Sequence, residues 1–153
     1  MRRWCAAALS VAFISSAWAG DGAALFMQNC ALCHQSGGAG LPGQFPRLAG
    51  RVGLISAQQA GRSYLIDVLT YGLSGTVTVD DQEIIGVMPP FNALPDEAVA
   101  DILSFVQGLG NPPAKPPKAF TKQEVAAERA KPAKSPDEMQ SARQELKRTQ
   151  VIP

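Results

Sequence analysis

The sequence predicts an all-α fold with a proline-rich, partly helical C-terminal tail. Three observations predict it. Apolar residues recur at helical spacing from Gln58 to Tyr71 and again after Pro95. Glycines and prolines cut the rest of the chain into short connecting pieces. Charge divides the chain into unlike parts: residues 20–110 hold eight acids, three arginines (Arg47, Arg51, Arg62) and no lysine, whereas 111–153 hold nine basic residues and five acidic ones. Such an asymmetry marks a body and a tail. With 153 residues there is room for one domain, and a net charge of +1 gives no reason to expect nucleic-acid binding.

The elements follow in order. Arg2 and Arg3 precede the apolar run Trp4 to Ile14, and Ala17 and Ala19 supply small residues before a cut after Ala19. This predicts a cleaved secretory signal over 1–19 and export to the periplasm, with an uncleaved anchor as the alternative. The run is shorter than the ~20 residues that span a bilayer. Cys5 leaves with the signal. A short helix follows, started by Asp21, and delivers Cys30. The helix from Gln58 ends at Gly72. The stretch from Gly75 to Val79 alternates polar and apolar residues and reverses at Asp80-Asp81, as a small hairpin or loop leading to Met88. Pro95, Asp96 and Glu97 open the next helix, with Val99, Ile102, Leu103 and Val106 on its buried side and Gly108 to Gly110 at its end. Asn111 to Lys118 is a stiff linker. Thr121 with Glu124 and Ser135 with Glu138 are capping-box pairs, starting helices over Glu124–Ala130 and Asp137–Arg148. Their apolar faces are meagre: Val125, then Met139, Ala142 and Leu146. The tail is either disordered alone or packed along its own domain or a partner.

The chemistry concentrates in Cys30-Ala31-Leu32-Cys33-His34. His34 is the only imidazole, which nearly excludes a zinc site built from several histidines and cysteines. A Cys-x-x-Cys pair can be a disulfide or a redox dithiol, but with histidine immediately after it reads as c-type haem attachment. Two thiols are bonded to the porphyrin and the imidazole is the fifth iron ligand. A sixth ligand must then be Met, Lys, Tyr or nothing. Met27 lies too near its own cysteines and Met139 sits in the charged tail. Met88, stiffened by Pro89 and Pro90, is the candidate.

Four motifs together resemble the class I c-type cytochromes: Cys30 to His34, Phe45 to Gly50, Tyr64 to Gly75, and Gly86 to Pro90. The resemblance covers 20–110 and implies a small cytochrome c fold around one covalent haem c. It implies that the Pro46 carbonyl accepts from His34 Nδ1–H, and that Leu48, Tyr64, Leu65, Leu69 and Phe91 form haem-pocket wall. It also implies that Gly22 and Phe26 pack on Phe105, and it offers Arg62 as a propionate partner, a solvated arginine being the equal alternative. A core this thin uses the haem as part of itself, so the haem-free chain is not expected to fold.

The function this implies is a periplasmic one-electron carrier rather than an enzyme. Its donor would be a periplasmic dehydrogenase and its acceptor a terminal oxidase or another cytochrome. The tail's paired helix starts resemble those of cytochromes that serve such dehydrogenases. The alternatives are an electron-transfer subunit held in a dehydrogenase complex by its tail, and a ligand-binding or peroxidatic haem protein with an open sixth site. A body without lysine predicts docking through a mostly apolar patch around the haem edge, with acids or the basic tail steering.

Overall fold

The Asp21 carboxylate accepts a hydrogen bond from the Ala24 amide at 2.9 Å and starts α1 (Gly22–Asn29). The computed structural model describes residues 21–111 and 115–153; the predicted signal over 1–19 and part of the predicted linker lie outside the described residues. After α1 come α2 (Ala31–His34), α3 (Val52–Ile55) and α4 (Gln59–Tyr71). Strands β1 (Leu73–Val79) and β2 (Gln82–Met88) precede α5 (Asp96–Val106), and the tail contributes α6 (Lys122–Arg129) and α7 (Pro136–Arg148).

The framework is the crossing of α1 with α5. Phe26 is fully buried and its ring lies 5.5 Å from that of Phe105, tilted by 50°. Gly22 permits the approach, because a Cβ there would overlap the Asp101 carbonyl and come within 3.0 Å of the Phe105 side chain. Val99, Ile102, Leu103 and Val106 are buried along α5, as its periodicity predicts.

The all-α expectation needs one correction: β1 and β2 form a two-stranded antiparallel sheet. The alternating Thr and Val residues suit a half-buried strand. Asp80 and Asp81 both adopt positive φ, 51° and 60°, which is the two-residue turn matched to strand twist. The register pairs Val79 with Gln82 and carries through to Leu73 opposite Met88. Val79 and Ile84 share the buried face, while Ile85 and Val87 are 76% and 75% exposed on the other.

The tail is packed along its own body. Phe120, Val125, Met139, Leu146, Val151 and Ile152 join the same core as α1, α4 and α5. Met139, read from sequence as part of a charged segment, is 1% exposed. Both tail helices are capped by the predicted hydroxyls, Thr121 to Glu124 and Ser135 to Glu138. Only the second box is reciprocal, because the Glu124 carboxylate turns instead to Arg62. Arg62 is therefore buried rather than solvated. Its guanidinium lies 3.8 Å from the centroid of the Phe120 ring, makes 2.6 and 2.7 Å bonds to Glu124, and donates to the Lys118 and Ala119 carbonyls. Further along, Arg129 pairs with Asp96 at 2.8 Å and Lys134 with the buried Asp67. Burial pushes the Asp67 carboxyl up, and the Lys134 ammonium opposes that.

These contacts explain why α4 is buried on more than one face. Tyr64, Leu65 and Leu69 are buried as predicted from periodicity, and Arg62, Ile66, Asp67 and Thr70 are buried as well. Two outcomes are expected. Met139→Ala lowers unfolding stability by about 2–4 kcal/mol, read by thermal or denaturant melts. The Arg62 hydrogen bond holds the Glu124 carboxyl below its ordinary range, though burial opposes it. The stabilisation from Glu124 is then present above the ordinary glutamate pKa and lost as pH falls through the lowered one. Glu124→Gln should flatten that acid loss and cost about 1 kcal/mol at neutral pH; an unchanged acid melt would count against the pairing.

Candidate functional site

The motif residues form one helical turn. The Cys30 carbonyl accepts from the Cys33 and His34 amides at 3.2 and 3.0 Å, and α2 ends at His34. Positions separated by three and four residues share a helix face, so Cys30, Cys33 and His34 lie on one side of the turn. Both thiols are free and half-buried. Burial, and then the neighbouring Cys33, push the Cys30 thiol up to about 11, so it is protonated at neutral pH. Leu32, between the cysteines, is 91% exposed.

His34 is buried, and its Nδ1 lies 3.0 Å from the Pro46 carbonyl oxygen. A carbonyl can only accept, so Nδ1 carries the proton and Nε2 keeps its lone pair. Burial lowers the His34 pKa, and the Pro46 hydrogen bond works against it.

The intervening loop brings Pro46 back to His34. Leu41 and Phe45 exchange backbone hydrogen bonds at 2.9 and 2.8 Å, folding 41–45 into a tight return. The Gly40 amide donates to the His34 carbonyl at 2.9 Å with φ of +66°. A Cβ on Gly40 would stand 2.7 Å from the Pro46 oxygen. Glycine is needed there both for its backbone angle and for the space beside that carbonyl.

Met88 ends β2, half-buried on the same hairpin face as Ile84. Its position is tied to the end of α4. Gly72, with φ of +76°, closes that helix so tightly that a Cβ would lie 2.5 Å from the Met88 carbonyl. Phe91 then returns its amide to the Leu69 carbonyl at 2.7 Å. A cleft separates the Pro46 loop from the hairpin. Ala39, Pro42 and Phe45 line one side, Val79 and Ile84 the other, with the Arg47–Asp80 ion pair at its edge.

A model of the family described as cytochrome C oxidase, cbb3-type, subunit III matches residues 17–106. The chain is a class I c-type cytochrome. A cytochrome c-552 of Thermus thermophilus is 45% identical over 113 residues, covering 72% of this chain and 86% of that protein. The cytochrome c subunit of a quinone alcohol dehydrogenase from Gluconobacter oxydans is 29% identical over 104 residues, 18% of that longer protein. A fructose dehydrogenase cytochrome subunit from Gluconobacter japonicus is 38% identical over 93 residues, again 18% of its length.

Membership makes this cytochrome an electron-transfer protein that binds haem c, with its iron, covalently. The donor set fits that group: two thiols and one neutral imidazole on one helix face. Among the described residues no cluster of three or more His, Cys, Asp and Glu is arranged to hold an ion, and no helix is long and apolar enough to cross a membrane.

The residues singled out from sequence take different places. Tyr64, Leu65 and Leu69 are buried on α4, while Leu48 and Phe91 are half-buried. Sequence reading did not single out Val79 or Ile84, which line the cleft, and named Phe45 only within the Phe45 to Gly50 motif; the alternation from Gly75 to Val79 could not say what that strand's face covers. It also missed the arginine group. Buried Arg51 donates to Asp80 at 3.2 Å and to the Pro153 carbonyl, and buried Arg143 reaches the Tyr64 hydroxyl at 3.5 Å.

Gly40→Ala tests the Pro46 loop. The substitution is expected to cost about 1–3 kcal/mol and to displace the Pro46 carbonyl. Exchange of the His34 Nδ1 proton, followed by NMR, should accelerate at least about tenfold.

Proposed function

We propose that this cytochrome is a periplasmic one-electron carrier in which Cys30 and Cys33 hold the haem through thioether bonds, His34 Nε2 is the fifth iron ligand and Met88 Sδ the sixth. The observation that carries the reading is the His34–Pro46 hydrogen bond, which leaves a lone pair on Nε2 of a buried imidazole whose neighbours are two thiols. The haem supplies the reversible one-electron chemistry. Pro46 orients the imidazole, and Leu48, Tyr64, Leu65, Leu69 and Phe91 contribute pocket wall with the cleft residues Phe45, Val79 and Ile84. The mature protein comprises a haem body over 20–110 and a tail over 111–153, with 1–19 removed on export.

The donor is a periplasmic dehydrogenase and the acceptor a terminal oxidase or another cytochrome. Support for the donor comes from the dehydrogenase cytochrome subunits among the relatives. Docking is apolar. All three body arginines are committed to Asp80, the Pro153 carbonyl and Glu124, so the body presents no free cation among its described residues. Exposed apolar side chains instead flank the site residues in sequence: Leu32 between the cysteines, and Ile85 and Val87 just before Met88.

Met88→Ala should abolish the thioether–iron absorption band of the oxidised protein and let the reduced protein bind carbon monoxide rapidly at neutral pH. A variant that keeps the band removes Met88 from the coordination sphere. Electron transfer from the dehydrogenase should lose less than about threefold in rate between low and physiological ionic strength. A steep loss with salt would point to charge steering, and Leu32→Asp together with Val87→Asp should slow the reaction by about tenfold or more.

A further inference from the structure

The hairpin that ends at Met88 has two edges, and they are treated differently. The two-residue turn at Asp80-Asp81 and the pairing of Val79 with Gln82 make the odd-numbered β1 residues the ones that exchange hydrogen bonds with β2. The carbonyls of Ser74 and Thr78 therefore point away from β2, along an edge no other strand covers. The tail helix α7 lies there. Gln140 Nε2 donates to the Ser74 carbonyl, and Arg143 donates to the Thr78 carbonyl at 3.3 Å. Both donors come from one helix face, three residues apart.

The position of these bonds gives them a consequence beyond covering an edge. Ser74 adjoins Leu73, and Leu73 is the register partner of Met88. On its other side Met88 is fixed by the close approach of Gly72 and by the Phe91–Leu69 hydrogen bond. One clamp thus comes from the end of α4 and the other from the tail, acting through β1. The tail clamp is itself anchored: Met139, immediately before Gln140, is buried in the shared core, and Arg143 also reaches Tyr64 on α4.

We infer that Gln140 and Arg143 are positioning residues for Met88: the tail, by holding the free edge of β1, keeps the sixth iron ligand in place. The inference rests on the Met88 assignment proposed above. It gives the tail a role in closing the iron site, apart from any partner and apart from stability.

The test uses the full-length, haem-loaded protein, with imidazole as the probe of the sixth position of the oxidised form. Gln140→Ala combined with Arg143→Ala should bind imidazole about tenfold or more faster than the parent, as expected when one or two hydrogen bonds are lost. The thioether band should also disappear at a lower pH during alkaline titration. Gln140→Ala alone, which leaves Arg143 and Tyr64 untouched, should show part of the effect. Arg143→Lys, which keeps a donor, should recover most of it in the Gln140 background.

Val125→Ala is the control, since Val125 is buried in the core on α6 and makes neither of the β1 edge bonds. Equal acceleration in Val125→Ala at matched loss of melting temperature would overturn the proposal, as would a parental imidazole rate in the double variant. If the double variant does not accumulate with haem, the Gln140→Ala rate decides alone. Should Met88→Ala retain the thioether band, the ligand assignment falls and this inference falls with it; a band lost in Met88→Ala beside unchanged Gln140 and Arg143 variants sinks only the inference.

Discussion

A neutral imidazole keeps a lone pair on one ring nitrogen, and a hydrogen bond from the other N–H to a fixed acceptor decides which nitrogen that is and how the ring is aimed. The Pro46 carbonyl is that fixed acceptor, 3.0 Å from His34 Nδ1. Much of the loop between them serves the bond: the Leu41–Phe45 return turns the chain around, and Gly40 leaves space beside the carbonyl. The helical turn from Cys30 supplies the other half, aligning both thiols with the ring. No side chain of Pro46 is involved in accepting the proton, so the contact is made by backbone shape.

The second organising feature is α4, which serves as a spine between two unlike surroundings. Tyr64, Leu65, Ile66 and Leu69 are buried along it, and it meets the tail through Arg62, Tyr64, Asp67 and Thr70. Charged groups there are buried in matched pairs. Arg62 with Glu124 and Asp67 with Lys134 each join the body to the tail. Desolvating such pairs offsets much of their Coulomb gain, so they contribute register more than net stability, while Phe120, Val125 and Met139 supply the burial.

Local signals carried most of what sequence could reveal. Asp21, Gly72, Pro95, Thr121 and Ser135 mark element ends by chemistry that acts within a few residues, and each sits at or beside the end it predicts. The hairpin was legible from alternation and the double aspartate, though the all-α class hid it. What sequence could not reveal depends on contacts across long separations. Arg62 reads as a surface or propionate arginine because nothing within a few residues announces Glu124, 62 positions away. Met139 and Leu146 look too sparse for a core because the partner surface on α4 is not visible in their own segment. The Pro46 assignment depended on resemblance, whereas Met88 came from elimination among the methionines once the haem motif was read, since neither residue type signals its role alone.

The tail contacts also bear on the order in which the chain assembles. Gln140 to Ser74 spans 66 residues, Arg143 to Thr78 spans 65, and Arg51 to Pro153 spans 102. The β1–β2 turn and the capped α1 close over only a few. Loop closure makes the long contacts slow relative to the short ones. A body that collapses before the tail docks leaves the β1 edge bare. How long that edge stays bare, rather than the strength of the finished fold, sets how long a newly made chain is exposed to proteolysis and to pairing with its own kind.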